Sequence, residues 1–202
     1  MMAKRLFDIV FSALGLIVLS PLLVLVAFWI KMDSQGPVFF RQVRVGQFGQ
    51  IFRIHKFRTM QAEQPVAAPQ ITVGRDARIT PSGAFLRKYK IDELPQLIDV
   101  FIGKMSIVGP RPEVPKYIDM YPAELRRLVL SVKPGITDRA SLEFREENDL
   151  LASAFDPEKE YIEKILPIKQ EYYVRYVKSR NFIDDMKIIF LTLYFVFVRP
   201  KS

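Results

Sequence analysis

The chain has 202 residues, 50% of them hydrophobic, and carries 30 lysines and arginines against 22 acidic residues for a net charge of +8. That length fits one compact core plus whatever a membrane takes, and the charge suits anionic partners (phosphates, acidic lipids or nucleic acid) without choosing among them. The absence of cysteine excludes disulfides and thiolate catalysis, and the single histidine, His55, cannot build a histidine-rich metal site.

The chain is almost unbrokenly apolar from Leu6 to Ile30. As a helix of about 25 residues it would reach roughly 37 Å, longer than a hydrocarbon core of about 30 Å. Its length, and the lack of a small-residue cleavage site in Trp29-Ile30-Lys31-Met32-Asp33, argue against a removed signal peptide. Pro21 cannot donate to the carbonyl of Ile17, and Ser20 can bond back to Leu16, a combination that bends a helix in lipid. Both flanks are basic, Lys4 and Arg5 before, Lys31, Arg41 and Arg44 after. A positive-inside preference acting on both flanks makes the segment a re-entrant helical hairpin. A kinked spanning helix with the remaining domain outside the cell is the alternative. Asp8 is expected to pair with Arg5, one turn away.

After Gly36-Pro37, Val38 to Val45 and Gln50 to Phe57 read as two strands joined by Gly46-Gln47-Phe48-Gly49. Alternation puts Phe52, Ile54, Lys56 and Arg58 on one face, the two cations pointing either into a pocket or into solvent at a sheet edge. Gln61 to Gln70, polar with two prolines, reads as a mobile loop. Arg75 to Gly83 then leads into a short helix bearing Phe85, Leu86 and Arg87. Leu94, Leu97, Ile98, Phe101 and Ile102 follow helical spacing, and Pro95 fits only the first turn, so this helix should begin near Asp92. A helix is expected over Pro122 to Ser131, with a stop at Lys133-Pro134-Gly135, and another opening at Asp156-Pro157 and divided at Pro167. In the last segment, from Phe182, apolar residues surround nearly the whole helix between Ile188 and Val198. That helix is core, or it lies on a membrane surface with Lys187, Arg199 and Lys201 as its basic flanks.

A helix start at Asp92 sets Asp92 and Glu93 beside unpaired N–H groups and the positive end of the helix dipole. Alone, that pattern also describes a helix cap. Shortly downstream, Gly109-Pro110-Arg111-Pro112 stiffens the backbone of Arg111 while glycine permits close approach, which suits bidentate contact with a phosphate, or forms a surface turn. Paired carboxylates, several cations and a membrane segment together describe a site for a phosphorylated substrate at a bilayer. A diphosphate repels a carboxylate nucleophile, so Mg²⁺ held by oxygen ligands is expected, with Asp92 and Glu93 as candidate ligands.

The order of motifs resembles the polyprenol-phosphate phosphoglycosyl transferases of the small, monotopic class, the bacterial sugar transferases that initiate glycan assembly. The pieces are Lys4-Arg5-Leu6-Phe7-Asp8, Ser20-Pro21, Gly36-Pro37-Val38-Phe39-Phe40, His55-Lys56-Phe57-Arg58-Thr59-Met60, Arg78-Ile79-Thr80, Leu86-Arg87-Lys88, Asp92-Glu93-Leu94-Pro95-Gln96-Leu97, Ser106-Ile107-Val108-Gly109-Pro110-Arg111-Pro112 and Lys133-Pro134-Gly135-Ile136-Thr137. Phe182 and Asp185, ahead of an apolar helix, match the family's terminal pattern.

This resemblance implies an α+β, mainly helical fold. It comprises a re-entrant membrane helix hairpin broken at Ser20 and Pro21 (residues 1–34), then a small β-hairpin and a compact helical catalytic domain with interfacial helices (residues 35–202). It implies a site at the cytoplasmic face of the bacterial inner membrane, a UDP-sugar donor, a polyprenol phosphate acceptor, Mg²⁺ dependence and contact with membrane lipid but not nucleic acid. Asp92 would be the nucleophile and Glu93 its metal or acid–base partner, with Lys56, Arg58, Arg78, Arg87 and Arg111 as phosphate ligands. After Thr137 the sequence Asp138 to Glu147 departs from the commonest family pattern, which leaves the sugar open. The oligomeric state is open too. The rival readings are a basic membrane-tethered binding module and an inactive scaffold of the same fold.

Overall fold

The structure, a computed structural model, describes residues 2–62 and 76–198. Most of the loop read over Gln61 to Gln70, as well as Arg75, Arg199 and Lys201, lies outside the described residues. The chain is mainly helical with a few small sheets and one long apolar N-terminal helix.

That helix, α1 (Met2–Asp33), is helical throughout its 32 residues with Pro21 inside, and among the described residues it is the one helix long and apolar enough to cross a membrane. The Ser20 hydroxyl donates to the Ile17 carbonyl at 2.8 Å, taking the acceptor that Pro21 cannot serve rather than the expected Leu16. Both ends of α1 are tied to the rest of the chain. Near the N-terminus, Lys4 pairs with Asp185 at 2.5 Å, Arg5 donates to the carbonyls of Val100 and Phe101, and buried Asp8 accepts the N–H of Ile107 at 3.1 Å. Near the C-terminus, Asp33 accepts from the Ser82 hydroxyl at 2.7 Å, and Arg58 donates to Ser34. The expected Asp8–Arg5 pair does not form, because each side chain serves a main-chain group of another segment that would otherwise lack a partner.

Strands β1 (Phe39–Phe40), β2 (Val43–Val45), β3 (Ile51–Arg53) and β4 (Lys56–Phe57) make the expected hairpin, each arm in two pieces. Pairing β1 with β4 and β2 with β3 keeps one register throughout, Phe39 facing Phe57 and Val45 facing Ile51. The predicted alternation holds as far as Ile54, with Phe52 and Ile54 buried and Ile51 and Arg53 exposed, and then gives way: Lys56 is half-buried, and Phe57 and Arg58 are both buried because α1 and α2 cover the far side of Phe57.

Helix α2 (Pro81–Lys88) starts under Thr80, whose hydroxyl accepts from the Gly83 N–H. A 3₁₀ turn, Ile91–Glu93, then precedes α3 (Gln96–Phe101), so the helix expected from Asp92 opens as a tighter turn. Pro95 has no N–H for the Ile91 carbonyl, and the N–H of Leu94 takes it instead. The apolar stripe of α3 is not its core face. Gln96, Asp99 and Val100 are buried, while Phe101 and Ile102 are exposed and Leu97 lies against Gly15 of α1.

Strand β5 (Ser106–Val108) runs parallel to β6 (Gly135–Thr137), and α4 (Pro115–Ile118) and α5 (Ala123–Val129) fill the crossover. Next come α6 (Arg139–Glu143), α7 (Glu147–Ala152), α8 (Pro157–Glu160), a π turn at Tyr161–Ile165, α9 (Leu166–Ser179) and α10 (Phe182–Phe197). Asp156 caps α8 by accepting from the Lys159 N–H, and Pro167 follows the π turn, as the sequence predicts. On α10, Asp185, Ile188 and Ile189 are buried while Ile183 and Phe190 are exposed, so this helix has both a core face and an open apolar face.

One cluster of the core lies beneath α4, α5 and α9, a second around β5 and α10, and a third joins Val26 and Ile30 of α1 to Phe57 and Leu86. Beyond β5 the backbone passes so close to β6 that a Cβ on Gly135 would stand 2.1 Å from the Gly109 nitrogen. Gly135→Ala must push the two segments apart and should lower stability by about 3 kcal/mol, read from chemical unfolding in detergent.

Candidate active site

Three segments converge on one carboxylate pair. Asp92 and Glu93 occupy the 3₁₀ turn, 2% and 8% exposed, so neither charge can rely on water. Lys56, from the end of the hairpin, bridges them, with Nζ 2.9 Å from Asp92 Oδ2 and 3.2 Å from Glu93 Oε1. Arg111, from the Gly-Pro-Arg-Pro turn after β5, approaches Glu93 with both terminal nitrogens, Nη2 to Oε1 at 2.6 Å and Nη1 to Oε2 at 3.3 Å. Burial alone would raise the Glu93 pKa, but Arg111, Lys56 and Lys90 hold it well below the usual carboxylate range. Glu93 in turn pushes the Arg111 pKa up.

Asp92 does not cap the helix, contrary to the alternative reading of its motif. Its Oδ2 pairs with Lys56, and its Oδ1 is buried with no hydrogen-bond partner. An orphaned buried carboxylate oxygen costs free energy, a cost that a water, an ion or a substrate group beside it would offset.

Arg87 donates through Nε to Thr59 Oγ1 at 3.0 Å and lies close enough for the charges of Asp92 and Glu93 to act on it. Arg78 forks onto Asp76 instead, with Nη2 2.6 Å from Oδ2. Arg58 points away from the pair. Its guanidinium donates to the carbonyls of Pro37 and Ser34 and to the Ser34 hydroxyl, fastening the end of α1 to the hairpin. Of the five cations read as phosphate ligands, the structure thus brings Lys56, Arg87 and Arg111 around the carboxylates, while Arg58 and Arg78 serve other acceptors.

Two contributors were missed by the sequence reading. Lys90 enters the 3₁₀ turn with left-handed backbone, φ 56°, which a non-glycine residue adopts only under local constraint. Desolvation lowers the pKa of its amine, and repulsion from Arg111 and Lys56 works against attraction by Glu93 and Asp92. The second is Asp99, which accepts from the His55 main-chain N–H at 2.7 Å and from its ring Nδ1 at 2.8 Å. Arg41 can only donate, so His55 Nε2 accepts from it at 2.6 Å and the proton sits on Nδ1. This clamp holds β4 against α3 and so sets Lys56 against Asp92. Asp92, Gln96 and Asp99 recur at helical spacing, and that polar stripe was the available signal.

With Lys56, Arg87, Lys90 and Arg111 set against Asp92 and Glu93, cations outnumber carboxylates, which suits a multiply charged anionic substrate. Among the described residues no group of three or more histidine, cysteine or acidic side chains could hold a metal by itself. Mg²⁺, however, is commonly bound through one or two carboxylates plus substrate phosphates, and the free Asp92 Oδ1 fits that mode. Site and fold together set a buried carboxylate pair and its cations in one body with a long apolar helix.

The model of the bacterial sugar transferase family matches residues 1–199, and the chain belongs to that family. It is 39% identical over 205 residues to a UDP-glucose:undecaprenyl-phosphate glucose-1-phosphate transferase of Klebsiella pneumoniae, covering 100% of this chain and 42% of that protein. It is 34% identical over 192 residues to a UDP-N-acetylgalactosamine-undecaprenyl-phosphate N-acetylgalactosaminephosphotransferase of Aeromonas hydrophila, covering 94% of this chain and 42% of that one. To the exopolysaccharide production protein PSS of Rhizobium leguminosarum bv. phaseoli it is 36% identical over 208 residues, covering 98% of this chain and 97% of the relative. The chain therefore spans about two fifths of the first two relatives and nearly all of the third.

A carboxylate whose folded pKa is depressed contributes stability that is complete above its ordinary value, 4.5 for Glu93, and is lost as pH falls through the folded value. Glu93→Gln should cost about 2 kcal/mol at pH 7, less than for a fully buried pair because Arg111 is partly open. Urea unfolding between pH 7 and pH 3 should show a shallower acid decline for the variant than for the parent.

Proposed function

We propose that this chain transfers a sugar 1-phosphate from a UDP-sugar to polyprenol phosphate, through a covalent aspartyl intermediate on Asp92. The single observation that carries this reading is the buried, unpartnered Asp92 Oδ1 inside a ring of cations. In the first step Oδ1 attacks the sugar-bearing phosphorus. The bond from that phosphorus to the bridging oxygen breaks, and UMP leaves with the oxygen and the electron pair. In the second step an anionic oxygen of polyprenol phosphate attacks the same phosphorus, the bond to Oδ1 breaks, and the carboxylate is restored. Donor and acceptor dianions give two product dianions, so neither step requires a net proton.

That balance fits Glu93, whose depressed pKa keeps it ionised at neutral pH and unsuited to donate a proton. Its part is to hold Arg111, while Arg111, Lys56, Arg87 and Lys90 bind and orient the diphosphate and offset the charge that develops on it. Mg²⁺, which the Asp92 carboxylate and the substrate phosphates would hold through oxygen, would neutralise part of the diphosphate charge when bound. An aspartyl phosphate is reactive enough to pass its group on. The relatives' names indicate that the sugar varies within the family, and here it stays open.

We further propose that residues 1–34 are a re-entrant anchor and residues 35–202 a catalytic unit at the cytoplasmic face of the bacterial inner membrane, with α10 lying in the interface. What supports this is that both ends of α1 fasten to the same folded body, while its middle exposes Leu14, Ile17, Val18, Val24 and Leu25.

In the absence of acceptor, UDP-sugar should leave a phospho-sugar adduct on the Asp92 peptide with a limited burst of UMP, and a chelator should remove both until Mg²⁺ is returned. Asp92→Asn should lose adduct and turnover by more than about a thousandfold while still binding UDP-sugar. Near-parental turnover of that variant would overturn the assignment, and UMP release only with acceptor present would replace it with direct displacement. For topology, Ala3→Cys and Gln35→Cys in this cysteine-free chain should both resist an impermeant thiol reagent in intact cells. Labelling of position 35 alone would show a full span.

A further inference from the structure

A second cationic site lies at the far end of α3. Gly103 closes that helix with φ +87°. Arg5 of α1 reaches across it, Nη1 donating to the Val100 carbonyl at 2.7 Å and Nη2 to the Phe101 carbonyl at 2.9 Å. Lys133, from the turn before β6, arrives over the same glycine. A Cβ on Gly103 would stand 3.1 Å from Arg5 Nη2 and 3.5 Å from Lys133 Nζ, so both cations come to contact distance over the glycine that the positive φ favours.

Two cations are thus held within the span of one phosphate. Among the described residues, Arg5 meets only carbonyl oxygens and Lys133 makes no hydrogen bond or ion pair. Desolvation and the nearby Arg5 charge lower the Lys133 pKa, and Asp8 offsets this only in part, its Oδ1 already accepting from Ile107. Like charges that a neighbouring carboxylate offsets only in part repel each other, and an anion joining them relieves that repulsion. The setting narrows the choice of anion, because Phe101 and Ile102 on one side and Leu6 on the other are all exposed. A phosphate collared by apolar side chains is the arrangement a phospholipid presents.

We propose that Arg5, Lys133 and the backbone around Gly103 form a binding site for the phosphate of an anionic glycerophospholipid, separate from the carboxylate pair. This rests on the membrane reading given above. The site lies beyond the C-terminal end of α3, whereas Asp92 and Glu93 precede its N-terminal end, so its lipid is a bound cofactor-like component rather than the substrate. By gripping a headgroup it would fix the depth of the α1 N-terminus.

Native mass spectrometry of the full chain released from nanodiscs of phosphatidylcholine with phosphatidylglycerol tests this. The parent should retain phosphatidylglycerol in preference to phosphatidylcholine. Lys133→Gln should reduce that retention about tenfold, the loss of one charge-assisted contact, Lys133→Arg should restore it, and Lys159→Gln on distant α8 should leave it unchanged. Equal retention by the parent and Lys133→Gln, or equal retention of the two lipids by the parent, would overturn the site. Displacement by millimolar inorganic phosphate would assign it to a free anion, and retention of polyprenol phosphate alone would assign it to the acceptor; either result sinks the phospholipid proposal. Failure of the parent to float with any vesicle, phosphatidylcholine alone included, would instead defeat the membrane reading itself.

Discussion

Glu93 is a nearly buried carboxylate, and such a group persists as an anion only if cations are fixed beside it, since removing one partner of a buried pair leaves a charge that neither water nor protein offsets. Arg111 and Lys56 meet that requirement, and much of the architecture serves to deliver them. Arg111 stands where it does because β5 and β6 pass at glycine-to-glycine distance. Lys56 stands where it does because Asp99 grips both the main chain and the ring of the preceding His55. With Glu93 satisfied on both oxygens, the remaining oxygen of the pair, Asp92 Oδ1, is left without a partner. The pair is therefore asymmetric: one carboxylate gathers the cations, and the other keeps an oxygen without a partner.

Because the sheets are minimal, with strands of two or three residues, polar ties across segments do much of the joining. Asp8 secures α1 to β5, Arg58 secures α1 to the hairpin, and the Tyr176 hydroxyl connects the Val108 carbonyl to Asp185, which also holds Lys4. Each tie meets a main-chain group or charge that would otherwise be buried alone. Apolar packing fills the spaces between these ties rather than forming one continuous slab.

Much of this was legible in the sequence because it rested on local chemistry. The hairpin declared itself through alternation and a glycine-bounded loop, the Asp156 cap and the Pro167 break through standard helix punctuation, and α1 through sheer apolar length. What stayed hidden depended on pairings distant in the chain. Nothing local marks Ser106 to Val108 as a strand, since three residues are too short for a period and the partner lies beyond a crossover. The stripe of Leu94, Leu97 and Ile98 was visible, but the sequence does not say that it faces α1 and the outside while Gln96 and Asp99 turn inward. Arg58 shows the same limit. Alternation placed it beside apolar residues and left pocket and solvent open, and only the positions of Ser34 and Pro37 decide what it touches. Asp92 and Glu93 were found as a motif, and only the three-dimensional contacts distinguish their surroundings.

The double fastening of α1 also bears on how such a body would meet the lipid-borne acceptor proposed above. A domain on a flexible tether sweeps a volume set by linker length, and its reactive groups wander relative to the surface beneath. Here Lys4, Arg5 and Asp8 at one end and Asp33 and Ser34 at the other leave no slack. On a bilayer, the height and tilt of the carboxylate pair become constants of the fold. For the proposed polyprenol phosphate acceptor, encounter would then reduce to lateral diffusion in two dimensions, its headgroup arriving already at the right altitude.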